Sequence, residues 1–304
     1  MTLALMFILK DSLVSQIDFQ AIGERLRAFR IGRQLNADQV AEKLGISRAA
    51  VYRLELGKIV KLETLESLAD LLKVSLTSLL GSDTEYFDNA LGYFERMRQL
   101  EARSSSIISY FDPFSYLLTT PGYSELFQTM LHEARPPKFS KSQDAMEKEI
   151  LSILDERKST FSRQKFEVKS IVSLRQIERY LHIGLVGRLD LPTSLRMERA
   201  LLARKEIENL ISIVEANSGH PSIYLIDEAL PSATFQIFEQ PSTSYVAVSP
   251  YRLGELPNLH VGIASVTSST QAVEMYKTMS THLLSRAHSG QEATSKLRQL
   301  LAKL

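Results

Sequence analysis

The segment Ala37 to Gly57, ADQVAEKLGISRAAVYRLELG, constrains this chain more than any other stretch. Val40, Ala41 and Leu44 recur at spacings of one, three and four residues, which places them on one face of a helix. Gly45 follows where a helix ends at least cost in a left-handed turn. Ser47 is a good N-cap for a second helix, with Val51 and Leu54 on its inner side. A turn this short makes the second helix cross the first steeply and leaves one flank in solvent. That flank carries Arg48, Ala49, Ala50, Tyr52 and Arg53.

The neighbouring residues extend this pair into a larger unit. The pattern predicts a first helix over 19–33 with Ile22, Leu26 and Phe29 facing inward, and Asn36 caps the helix that follows. Leu65, Leu68, Ala69 and Leu72 form the stripe of a helix over 64–72, and a last short helix over 76–80 ends at Gly81. Five short helices in this span predict a compact all-α domain. Between residues 19 and 82 there are ten Lys and Arg against seven Asp and Glu, although the whole chain carries a net charge of only +1. A basic head on a slightly acidic body suits a nucleic-acid-binding module attached to something else.

Two blocks, QVAEKLGISRAAVYRLELGK and then TLESLADLLKVSLTSLL, make residues 20–81 resemble the lambda-repressor-like helix-turn-helix domain of the Cro and xenobiotic-response-element regulators. The resemblance covers about a fifth of the chain. It implies a sequence-specific, DNA-binding transcription regulator with recognition helix 47–56 in the major groove. Arg48, Ala49 and Arg53 then match the positions that read base edges. Arginine can donate two hydrogen bonds to guanine, and alanine can pack on a thymine methyl. Ser47, Tyr52 and Lys58 match positions that touch phosphates and set register. Arg30 and Glu55 match a scaffold pair bridging the first helix to the recognition helix. The implied partner is double-stranded DNA with a pseudo-palindromic operator, read by a homodimer. Three departures stand out: Ala37 replaces a glutamine that commonly bonds a phosphate, Leu56, Ile59 and Val60 make the following loop unusually apolar, and Glu63 replaces a minor-groove arginine.

Beyond this head, 304 residues leave room for a second domain. The expected organisation is an N-terminal extension over 1–18, the helix-turn-helix domain over 19–82, a connector helix over 83–104, and an effector-sensing or oligomerisation domain over 105–304. In the connector, Phe87, Ala90, Leu91, Phe94, Met97 and Leu100 form a helical stripe that can pack on the chain's own second domain or on a second copy. Helical patterns over 142–156, 195–216, 272–286 and 292–304 frame strand-like runs over 222–226, 234–239, 244–249 and 259–267, which predicts an α/β (α+β) sensor-like domain. From Leu225 onward this layout loosely resembles ligand-sensing domains of related regulators. Six of the 24 aromatic residues fall between 110 and 127, and arginines cluster between 188 and 204. A small-molecule effector pocket drawn from them would use Tyr110, Phe114, Tyr116, Arg188 and Arg199.

The absence of cysteine excludes disulfides, thiolate metal sites and thiol nucleophiles. The six histidines include no zinc spacing, and no phosphate loop, nucleophile elbow or dinucleotide fingerprint occurs. No catalytic residue, metal ligand or cofactor is therefore expected. The apolar opening TLALMFIL is too short to span a bilayer and lacks a basic flank, which makes a cytoplasmic, membrane-free protein the expectation. Two rivals remain at this point: an enzyme of another type carrying an autoregulatory DNA-binding domain, and an antitoxin-like interaction protein.

Overall fold

The computed structural model describes residues 18–58, 61–81, 84–163, 167–216, 221–228, 230–231 and 233–303. The expected extension therefore falls, except for Asp18, outside the described residues, as do Ile59 and Val60. Five helices come first: α1 (Phe19–Gly32), α2 (Ala37–Leu44), α3 (Arg48–Glu55), α4 (Leu62–Leu72) and α5 (Leu76–Leu80). Asp18 caps α1 by accepting from the Ala21 amide at 2.9 Å. Ile22, Leu26, Val40, Val51, Leu68 and Leu79 close the core between these helices.

The next stretch differs from a single connector helix. Strand β1 (Glu85–Phe87) comes first, and α6 (Ala90–Arg103) follows, capped by Asn89, which accepts from the Gly92 amide at 3.0 Å. Leu91, Phe94, Met97 and Leu100 are all buried in the chain's own core. The stripe is thus consumed internally and leaves no face for a dimer contact.

After α6 the chain alternates: β2 (Ser106–Tyr110), α7 (Tyr123–Ala134), α8 (Lys141–Arg163), β3 (Glu167–Ser173), α9 (Leu174–Ile183), α10 (Thr193–Glu215) and β4 (Ser222–Ile226). It then meanders through β5 (Thr234–Glu239), β6 (Ser244–Ser249) and β7 (Ala264–Thr267), and ends in α11 (Thr270–Ser285) and α12 (Gly290–Lys303). Among the described residues seven strands share one sheet in the order β1-β7-β6-β5-β2-β3-β4. The β2, β3 and β4 strands run parallel, whereas every other pairing is antiparallel. An amino-terminal helical domain is therefore followed by a region of mixed sheet and helices.

Alternation along the strands divides the core in two, because successive side chains leave a strand on opposite faces. Ile107, Val172 and Leu225 face the larger cluster, which is continuous with the helical head. Tyr110, Ile171, Phe235 and Val246 face the other side, against Val273 and Leu283 of α11. Among the described residues no helix is long and apolar enough to cross a membrane.

The head is fused to the body rather than tethered. Helices α1 and α6 approach so closely that a Cβ on Gly32 would lie 3.1 Å from the Gly92 Cα. Phe29 of α1 stacks on Phe87 of β1 at 5.0 Å. Beside them Glu85 accepts from Arg25 Nε at 2.8 Å and from Arg96 Nε and Nη2 at 2.8 and 2.9 Å. All three side chains are almost fully buried, at 3%, 5% and 1% exposure. Burial opposes the Arg96 charge, but the Glu85 carboxylate outweighs it, and the Arg96 pKa is raised.

Candidate nucleic-acid interface

Local chemistry fixes both helices of the exposed pair. The Asn36 side chain accepts from the Gln39 amide and Gln39 Oε1 accepts from the Asn36 amide, each at 2.8 Å, a reciprocal cap that fixes where α2 starts. Gly45 ends α2 at φ 63°, a conformation that costs a residue with a side chain more than it costs glycine. Ser47 Oγ then accepts from the Ala50 amide at 3.2 Å and opens α3.

The inner side of α3 is pinned to α1. Arg30 donates to both Glu55 carboxylate oxygens, at 2.5 and 3.2 Å, and its third nitrogen reaches the Leu35 carbonyl at 2.7 Å. Charge-assisted bidentate pairs of this kind fix orientation as well as contributing energy. Close by, a Cβ on Gly23 would sit 2.5 Å from the Glu55 carbonyl oxygen, so the two helices touch backbone to backbone.

The outer side of α3 is open. Ser47, Arg48, Ala49, Tyr52, Arg53 and Lys58 are exposed. Arg48 is held back: its guanidinium donates to the Tyr52 hydroxyl at 3.2 Å, lies 5.5 Å from the Tyr52 ring centre and pairs with Asp38 at 3.4 Å. The Tyr52 hydrogen bond, and then Asp38, raise its pKa. The Arg53 carbonyl accepts from the Lys58 amide at 2.9 Å, while its side chain has no hydrogen bond or ion pair among the described residues. Asp38 lies in the first turn of α2 and Arg48 is the first residue of α3, so their pairing brings the two helix amino termini onto one surface. Amino termini carry unpaired N–H groups and partial positive charge, which suits phosphate.

The sequence of this unit has known counterparts. The model of a helix-turn-helix domain family matches residues 21–79. The amino-terminal unit is a helix-turn-helix domain of the xenobiotic-response-element type. The chain is also similar to the HTH-type transcriptional repressor RghR of Bacillus subtilis (strain 168), with 33% identity over 85 residues. The match covers 27% of this chain and 57% of RghR, so the chain spans little more than half the length of this relative.

Outside the helix-turn-helix domain, the residues expected to line an effector pocket are divided between the two faces of the sheet and do not form one cluster. Tyr110 sits in the cluster facing α11, whereas Phe114 and Tyr116 sit in the cluster on the opposite face of the sheet. Arg199 is buried and bonds Glu133 at 3.1 Å, while Arg188 is exposed and pairs with Asp190 at 3.2 Å. An aromatic-rich sequence reports how much apolar surface must be buried; which face buries it depends on strand phase. Sequence reasoning also missed the Glu85 cluster, because its two arginines lie 60 and 11 residues away and no local pattern signals their meeting.

Proposed function

We propose that this protein is a sequence-specific DNA-binding transcription regulator that lays α3 in the major groove. One observation carries the reading: an exposed recognition helix whose Arg53 side chain has no protein partner among the described residues, mounted on a buried Arg30–Glu55 clamp. In this reading Arg53 and Arg48 read base edges and Ala49 supplies an apolar contact. Ser47, Tyr52 and Lys58 position the helix through phosphates. To reach a base, Arg48 exchanges Asp38 and Tyr52 for the DNA, whereas Arg53 is ready as it stands. The similarity to a named repressor supports the same class of activity.

A single short helix reads few base pairs, so the reading includes a homodimer spanning two half-sites, formed through a surface other than the α6 stripe. Duplexes selected by the chain from a random-sequence pool supply the test. Arg53→Ala is expected to reduce discrimination at one base pair by roughly 1–3 kcal/mol while leaving binding to scrambled DNA nearly unchanged. An unaltered ratio of selected to scrambled affinity would remove Arg53 from readout, and failure to enrich any duplex would refute DNA binding.

A further inference from the structure

We propose that Lys138 and Lys141, carried by the body and not by the helix-turn-helix domain, form a second contact with the DNA backbone beside the amino terminus of α2. The inference rests on the DNA-binding reading above and adds to it a part of the chain that the family match does not reach.

The starting point is a deficit. Ala37, the first residue of α2, is buried and has no side-chain donor to offer a phosphate. What stands beside it is the start of α8. Gln34, two residues ahead of the Asn36 cap, donates from Nε2 to the Ser142 carbonyl at 3.4 Å and accepts from Ser142 Oγ at 3.0 Å. Ser142 lies in the first turn of α8, so its neighbour Lys141 is carried to the flank of the surface onto which α2 and α3 open.

The segment leading into α8 carries two unmatched cations. The Lys138 and Lys141 side chains are exposed and have no hydrogen bond or ion pair among the described residues. Of the acids at the start of α8, Asp144 is matched by Arg135 at 2.7 Å and Lys148 at 2.8 Å, and Glu147 by Arg135 and His260, whereas Asp38 is freed when Arg48 turns to the DNA. Two free ammonium groups therefore remain on the segment that Ser142 joins to the start of α2.

The segment bearing them is also braced, so that little order has to be gained on binding. The Arg135 guanidinium lies 4.5 Å from the Phe139 ring centre, and His260 meets the same ring edge-on at 5.7 Å. Ser140 and Gln143 cap α8 reciprocally, through bonds of 2.9 and 3.2 Å. Lysine binds phosphate as a point charge, so these contacts add affinity and salt dependence without sequence preference.

The experiment compares the full-length wild-type chain with the Lys138→Ala/Lys141→Ala double variant on a 30-base-pair duplex that wild type selects from a random pool. Affinity is measured from 50 to 200 mM salt. A control variant, Lys205→Ala/Lys303→Ala, removes the same charge from α10 and α12, which pack together away from α2. With a slope of about −0.9 per phosphate contact, the double variant is expected to lose roughly 12-fold less affinity than wild type over this fourfold range, and the control to follow wild type. Equal slopes for the double variant and wild type would overturn the proposal while leaving DNA binding intact. A control that shifts as much as the double variant would also overturn it, since the effect would then be one of net charge alone. If wild type selects no duplex, the DNA-binding reading itself falls and takes this proposal with it.

Discussion

Replacing Glu85 by glutamine tests how the head is joined to the body. The side chain keeps its shape but loses the charge that three short hydrogen bonds from Arg25 and Arg96 require. What remains for the two guanidinium groups is distant: the Leu79 carbonyl at 3.5 Å from Arg25, and Gln99 at 3.4 Å and Glu24 at 3.8 Å from Arg96. Removing one partner of a buried pair typically costs about 3–5 kcal/mol, because the charge left behind is neither solvated nor matched. Unfolding entropy of roughly 2.1 cal/mol/K per residue gives a chain of this length about 0.64 kcal/mol/K, so Tm should fall by ~5–8 °C. Scanning calorimetry of wild type and Glu85→Gln measures this directly. A Tm within about 2 °C of wild type would show that Arg25 and Arg96 are solvated by something other than Glu85, and the account of the junction would be wrong.

Two further substitutions probe other parts of the same frame. Gly23→Ala places a methyl 2.5 Å from the Glu55 carbonyl oxygen, which as backbone cannot turn aside; urea denaturation should show a loss of about 1–3 kcal/mol, and wild-type stability would contradict the close approach of α1 and α3. Glu147 is desolvated, but hydrogen bonds from His260 and Arg135 outweigh this and hold its carboxyl below the ordinary value of 4.5. A depressed carboxylate contributes stability that is present above its unfolded pKa and is lost as pH falls through the folded one. Glu147→Gln should therefore be less stable than wild type at pH 7, with the gap closing as the pH drops below about 4.5; a gap independent of pH would rule this out.

How far the sequence could be read depended on whether the governing signals were local. The ends of α2 and α3 follow from Asn36, Gly45 and Ser47, each of which acts within a turn of its own position. The expected runs 222–226, 234–239 and 244–249 coincide with β4, β5 and β6, because hydrophobic β-formers there are bounded by Pro, Ser and Gly. The central strands β2 and β3 escaped notice for the opposite reason. They carry buried Ser109 and Ser170, which break the apolar run expected of a parallel strand covered on both faces. Phe87 shares helical spacing with Leu91 and Phe94, yet Asp88 and Asn89 interrupt the helix, and its ring is placed by a strand whose partner β7 lies about 180 residues further on. The Arg30–Glu55 link came from resemblance to a family, whereas the Glu85 pair joins segments whose meeting no short-range pattern records.

The backbone contact between Gly32 and Gly92 has a consequence for any DNA site. A reading head on a flexible linker can follow a half-site that is shifted along the duplex. One seated on α6, where a methyl group on Gly32 would already crowd the Gly92 backbone at 3.1 Å, resists tilting to do so. In a dimer of such bodies the phase between the heads would be set once, at assembly. Inserting a single base pair between half-sites turns one of them by about 35° around the duplex axis, and that twist would have to be taken up by the DNA.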